Sequence, residues 1–182
     1  MMRLLLLRHA KSSWDVSGQP DFDRPLAARG RRAATMIGEH LSTHRLIPDR
    51  ILCSSAKRTR ETLTGLLPLI STDLDIRITR DLYEVGADVY IDTISALGGG
   101  ARTLLLIGHN PTVQDTALEL IGNGNPALRD EIAGKFPTAG LAVIDFELHK
   151  WSELRPQTGR VVAFFRPREL EVVGGEPPSD DE

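Results

Sequence analysis

This sequence is short of the features that would mark it as secreted, membrane-bound or nucleic-acid-binding. Cys53 is the single cysteine in 182 residues, so no disulfide can form within the chain, and a reducing compartment is expected. No apolar stretch approaches a membrane span. The Leu4–Leu7 run is too short for the core of a secretory leader and gives way at once to Arg8, His9 and Lys11. A cytoplasmic protein without membrane contact is the expectation. Basic excess is missing too: Lys and Arg number 22 against 25 Asp and Glu, a net charge of -3. Nucleic acid is therefore not an expected partner, and any anion site must be local.

Several catalytic signatures are equally absent. No internal repeat is visible. Gly98-Gly99-Gly100 follows a helical pattern and precedes a strand, the reverse of a dinucleotide fingerprint. Ser54 lacks the flanking glycines of a nucleophile elbow. His40 and His44 stand four apart on a helical stretch, but Leu41 occupies the place where a zincin needs glutamate. Both read as surface histidines, and neither a metal nor an organic cofactor is expected.

What is present is an α/β pattern of one domain, 1–170, followed by an acidic tail, 171–182, rich in Gly, Pro, Asp and Glu and expected to be disordered. Four consecutive leucines, Leu4 to Leu7, suit a strand covered on both faces, the habit of parallel strands. Ser12 to Pro25 reads as a long functional loop. Ala33, Ile37 and Leu41 then recur every four residues on a helix over Ala27–His44. Arg50–Cys53 is a buried strand, with Ser54 or Ser55 as N-cap of a helix over Ala56–Leu67. Asp75–Thr79 is a strand, and Asp88 caps a helix ending at Gly98. Thr103–Ile107 repeats the opening apolar pattern. Asn110 then caps a helix that starts at Pro111 and ends at Gly122. Gly140–Phe146 and Arg160–Phe165 are the last strands. The expected fold is a three-layer α/β sandwich with a mostly parallel central sheet, its strand order left open.

Three segments share one grammar, an apolar strand followed by polar residues with chemical capability: Leu7-Arg8-His9, Cys53-Ser54 through Arg58, and Ile107-Gly108-His109-Asn110. In a parallel sheet these strand ends lie on one edge, where two arginines and two histidines can converge. Two guanidinium forks and nearby helix N-termini suit a phosphoryl dianion. A neutral histidine can attack the phosphorus in line, while a second, protonated histidine stabilises the developing charge. Ser54 and Asn110 join the candidates for phosphate binding. Lys11 and Trp14 stand where they either line the pocket mouth or pack for stability. Cys53 reads as core.

At these residues the sequence resembles the histidine phosphatase, or phosphoglycerate mutase-like, superfamily, with Ala10 in place of the glycine of its Arg-His-Gly signature. The resemblance extends to Ser54-Ser55-Ala56-Lys57-Arg58-Thr59-Arg60-Glu61-Thr62 and to Gly108-His109-Asn110-Pro111. Lys11-Ser12-Ser13-Trp14, Asp23-Arg24-Pro25-Leu26 and Arg29-Gly30 are similar to its small SixA-type phosphohistidine phosphatases. The resemblance implies a phosphoglycerate mutase-like fold and a metal-independent phosphatase. It casts His9 as the phosphorylated nucleophile, Arg8, Arg58 and His109 as the phosphate pocket, and Glu84 as acid and base. A phosphorylated protein, such as a histidine phosphotransfer domain, is the implied substrate. Only one short helix fits between Glu84 and Thr103, so no cap should enclose a small metabolite. The alternatives are a small-molecule phosphomonoesterase and a non-catalytic phosphate-binding regulator.

Overall fold

The computed structural model describes residues 1–167; the tail expected over 171–182 lies outside them. Seven strands form one sheet: β1 (Met2–Arg8), β2 (Arg50–Ser54), β3 (Asp75–Thr79), β4 (Thr103–Gly108), β5 (Ile121–Gly124), β6 (Leu141–Phe146) and β7 (Gly159–Phe165). Their order is β3-β2-β4-β1-β6-β7-β5. Neighbours pair in parallel throughout, except that β6 runs antiparallel to both β1 and β7. The carboxyl ends of β1, β2 and β4 consequently share one edge.

Among the described residues, five α-helices cover the two faces: α1 (Ala28–Thr43), α2 (Lys57–Leu66), α3 (Ala87–Leu97), α4 (Thr112–Leu120) and α5 (Pro126–Gly134). Alternation along β1 explains the leucine run. Leu5 and Leu7 join Ala33, Ile37, Leu41 and Leu63 in a core under α1 and α2. Leu4 and Leu6 join Tyr90, Ile94, Val113 and Ile132 under α3, α4 and α5. All four leucines are fully buried, each worth about 1.5–3 kcal/mol of hydrophobic stabilisation. Cys53 lies in the same core as Leu5 and Leu7, and burial pushes its thiol up to about 12.

Several expected boundaries shift for identifiable reasons. Ala56, with no side-chain bond, is the N-cap of α2, because the Ser54 side chain is drawn into the site described below. Gly86 caps α3, leaving Asp88 in its first turn. Pro111 takes a near-zero ψ, so α4 begins at Thr112. Gly122 lies in β5, where a Cβ would meet the Gln157 carbonyl oxygen at 1.9 Å; close approach, not helix termination, requires the glycine. The α1 histidines are not both at the surface. His40 is buried, its ring centroid 3.9 Å from that of His44 and 3.8 Å from that of Phe165. Burial, then His44, lowers His40 to about 4.

Candidate active site

Arg8 stands beside Gly108 in the β1–β4 ladder, so the residues that follow, His9 and His109, leave the sheet together. Their ring centroids are 5.4 Å apart, and both are buried, as are Arg8 and Arg58. The His9 N–H bonds to the Gly108 carbonyl at 3.0 Å, tying the two strand ends. His9 Nδ1 lies 2.7 Å from the Ala10 carbonyl oxygen. A carbonyl only accepts, so Nδ1 carries the proton and a neutral ring has its lone pair on Nε2. Burial, then the neighbouring His109, Arg8 and Arg58, holds His9 well below the ordinary histidine range despite the favourable Ala10 bond. The ring is therefore neutral at physiological pH.

The Arg8 guanidinium is oriented by the Phe136 carbonyl, to which Nη1 donates at 3.0 Å. Asn110 Nδ2 donates to the same carbonyl at 3.2 Å and to Gln114 Oε1 at 3.5 Å, while Asn110 Oδ1 accepts from the Gln114 N–H at 3.3 Å. With both amide hydrogens engaged, Asn110 braces the pocket from behind and is not aimed at an anion. Ser54, at the end of β2, places its hydroxyl 2.8 Å from His109 Nε2 and accepts from the Ala56 N–H at 3.4 Å. The protein groups around the second histidine oppose the protonated form expected from sequence. Burial, then the charge of Arg58, lowers His109 to about 3, with Asp21 opposing. His109 Nδ1 is buried with no hydrogen-bond partner among the described residues.

Arg58, in the first turn of α2, donates from Nη1 to the Asp21 carbonyl at 2.7 Å and from Nη2 to Asp21 Oδ2 at 2.9 Å. One turn on, the Thr62 hydroxyl donates to the Arg58 carbonyl at 2.7 Å and accepts from the Ala10 N–H at 3.0 Å, binding the loop after His9 to the helix that carries Arg58. Glu84 is exposed, with a left-handed φ of 55°. Its backbone is pinned on both sides. The Tyr83 ring lies 5.4 Å from His109, edge to face, and the Val85 carbonyl accepts from the Thr112 hydroxyl. Trp14 is exposed and stacks on the Arg24 guanidinium, so it does not pack into the core.

Residues 4–96 match the histidine phosphatase superfamily (branch 1). The chain belongs to the histidine phosphatase superfamily. It is 38% identical over 167 residues to an uncharacterized protein of Mycobacterium leprae, a match that covers 89% of this chain and all of the relative. A crystal structure from Agrobacterium tumefaciens, provisionally described as a phosphohistidine phosphatase SixA, superposes with a TM-score of 0.77 at 32% identity. It covers 91% of this chain and 98% of that one. A phosphohistidine phosphatase SixA homolog of Haemophilus influenzae is 29% identical over 134 residues, covering 69% of this chain and 80% of the relative. This histidine phosphatase is of the SixA-type branch.

Three residues of the histidine phosphatase site carry no sequence signal of their own. Tyr90 on α3 donates its hydroxyl to the Leu82 carbonyl at 2.9 Å and accepts from the His109 N–H at 3.0 Å, setting where His109 leaves β4. Tyr83 donates to Asp21 Oδ2 at 2.6 Å. Asp21 gathers bonds from Tyr83, Arg58 and Arg24; burial alone would raise its carboxyl, but these donors hold it at about 2. In sequence Asp21 is one of three aspartates in a loop, and only packing distinguishes it.

Proposed function

We propose that this histidine phosphatase hydrolyses phosphohistidine on a protein, carrying the phosphoryl group transiently on His9. One observation carries the reading: His9 is neutral, proton-bearing at Nδ1 and lone-paired at Nε2, in a pocket with Arg8, Arg58 and His109. Nε2 attacks phosphorus in line, forming the P–Nε2 bond as the bond to the leaving nitrogen breaks. Arg8 and Arg58 hold the equatorial oxygens. With Ser54 donating to Nε2, neutral His109 keeps its proton on Nδ1 and offers it to the same oxygens. The departing imidazole takes a proton from water or Glu84. Water then attacks phosphorus, gives its proton to Glu84, and releases phosphate and neutral His9.

A protein substrate is favoured by what covers the site. Among the described residues, α3 is the only helix between Glu84 and β4, and its Tyr90, Ile91 and Ile94 are buried in the core, so it does not roof the pocket. An imidazole, with a conjugate-acid pKa of about 6.5, also needs less help to leave than an alcohol. The relatives named for phosphohistidine point the same way. Hydrolysis of ordinary phosphomonoesters is the second reading, favoured by the strained placement of Glu84 beside Tyr83.

The test compares a phosphorylated histidine phosphotransfer domain with p-nitrophenyl phosphate, in chelator, for wild type and His9→Ala. The expected result is faster turnover of the phosphoprotein, loss of both activities in the variant, and a radiolabelled phosphoenzyme stable to alkali and lost in acid. Faster turnover of the small ester selects the second reading. Phosphate binding with no turnover of either substrate leaves a phosphate-binding regulator.

A further inference from the structure

Asp21 lies on the long segment between β1 and α1, and the chemistry above leaves its carboxylate unused. Its side chain is 46% exposed, yet five donors converge on the residue, one of them the Arg24 backbone N–H, which reaches its carbonyl at 3.1 Å. Arg58 Nη1 reaches its carbonyl at 2.7 Å, Arg58 Nη2 and the Tyr83 hydroxyl reach Oδ2 at 2.9 and 2.6 Å, and Arg24 Nη1 reaches Oδ1 at 3.0 Å. A guanidinium has five N–H groups. Two of those on Arg58 go to Asp21, which leaves the others for an anion.

A carboxylate on a phosphate-binding arginine can be a competitor that swings away or a support that stays. The segment carrying Asp21 is built as a support. Its ends are stapled by the Ser12–Leu26 bridge and by bonds from the Ser13 N–H to the Pro25 carbonyl at 2.8 Å and from the Ala27 N–H to the Lys11 carbonyl at 2.9 Å. Across the middle, Arg24 donates to the Ser12 hydroxyl and, at 3.3 Å, to the Ser13 carbonyl. Tyr83, the other donor to Oδ2, is the residue that packs edge-on against His109.

We infer that Asp21 is the positioning residue for Arg58: its two bonds fix the plane of the guanidinium, and the remaining N–H groups are thereby directed at the phosphoryl oxygens. The inference rests on the phosphate pocket proposed above. Charge-assisted bidentate contacts depend steeply on orientation, so losing the support costs affinity for the phosphoryl group itself.

The test reads orthophosphate binding by calorimetry together with p-nitrophenyl phosphate kinetics. Asp21→Ala is expected to weaken orthophosphate by about ten- to thirtyfold and to raise KM by a similar factor, with kcat changed less than about threefold. Asp21→Asn, whose carboxamide oxygen still accepts from Arg58, is expected to lose about five- to tenfold. A merely structural role would lower the melting temperature and the active fraction without moving KM. An orthophosphate Kd less than about fivefold weaker than wild type, or tighter, overturns the inference; the tighter result makes Asp21 a competitor for Arg58. If Asp21→Ala does not fold, Asp21→Asn decides by the same threshold. Binding is read without turnover, so a wild type that binds orthophosphate and hydrolyses neither substrate removes the phosphatase reading while this one can still stand.

Discussion

Neutral histidines among guanidiniums set the demands on every other group in the pocket. With His9 and His109 both held below their ordinary range, Glu84 is the candidate left to manage protons, and its value depends on the leaving group. An alkoxide must be protonated as it departs, whereas an imidazole can leave with little assistance. Glu84→Gln is therefore expected to slow hydrolysis of an alkyl phosphate about 100-fold or more and of a phosphohistidine protein less than about tenfold. Equal losses on the two substrates, measured side by side, would assign Glu84 to binding rather than proton transfer. Its left-handed backbone argues that the turn was shaped around the side chain's position, since asparagine or glycine would sit there with less strain.

Elements bring these residues together through close backbone approaches. At Gly108 a Cβ would lie 2.4 Å from the Tyr90 hydroxyl, which bonds both the His109 N–H and the Leu82 carbonyl. Gly108→Ala is expected to cost about 2–3 kcal/mol in denaturant unfolding and to lower kcat/KM more than tenfold. Tyr90→Phe, which only removes the hydroxyl, should cost about 1–2 kcal/mol. A stable, fully active Gly108→Ala would show that α3 yields more readily than its packing implies. The strands β1, β2 and β4 were legible because unbroken apolar runs between polar ends admit few other readings, and with them came Arg8, His9 and His109 on one edge. Two elements escaped. Gly122-Asn123-Gly124 has the composition of a turn, and becomes strand β5 only by pairing with β7. The other is α5, although its start carries a signal that the expectations above leave unused: Asn125 caps it through the Ala127 N–H with Pro126 in the first turn, an Asn-Pro pair like that before α4. Neither Ser54 nor Ser55 is the N-cap of α2: the Ser54 hydroxyl, 3.4 Å from the Ala56 N–H, lies closer to His109, 55 residues away, and Asp21 is illegible for the same reason, since its contacts exist only in the tertiary fold.

At the scale of the whole molecule, stability depends on pH through buried neutral histidines. His40 titrates at about 4 in the folded chain and near 6.5 when unfolded. The unfolded state thus binds more protons between these values, so stability is intact above about pH 6.5 and falls as pH drops toward 4. His40→Leu should reduce the loss of unfolding free energy between pH 7 and pH 4.5 by about 1–2 kcal/mol; an unchanged difference would place the acid sensitivity in His9 and His109 instead. The reversed strand β6 has a further consequence, for the order in which a ribosome delivers the parts. β1 precedes the other six strands in the chain but lies between β4 and β6, pairing with residues 103–108 and 141–146. The turn before β6 also supplies the Phe136 carbonyl that orients Arg8 and the Ala139 N–H that bonds the Arg8 and His9 carbonyls. A nascent chain therefore carries its four leucines without sheet partners on either side, and its phosphoryl pocket unassembled, until most of the protein has emerged. Such long-range closure slows folding and makes the earliest of the seven strands among the last to find its place.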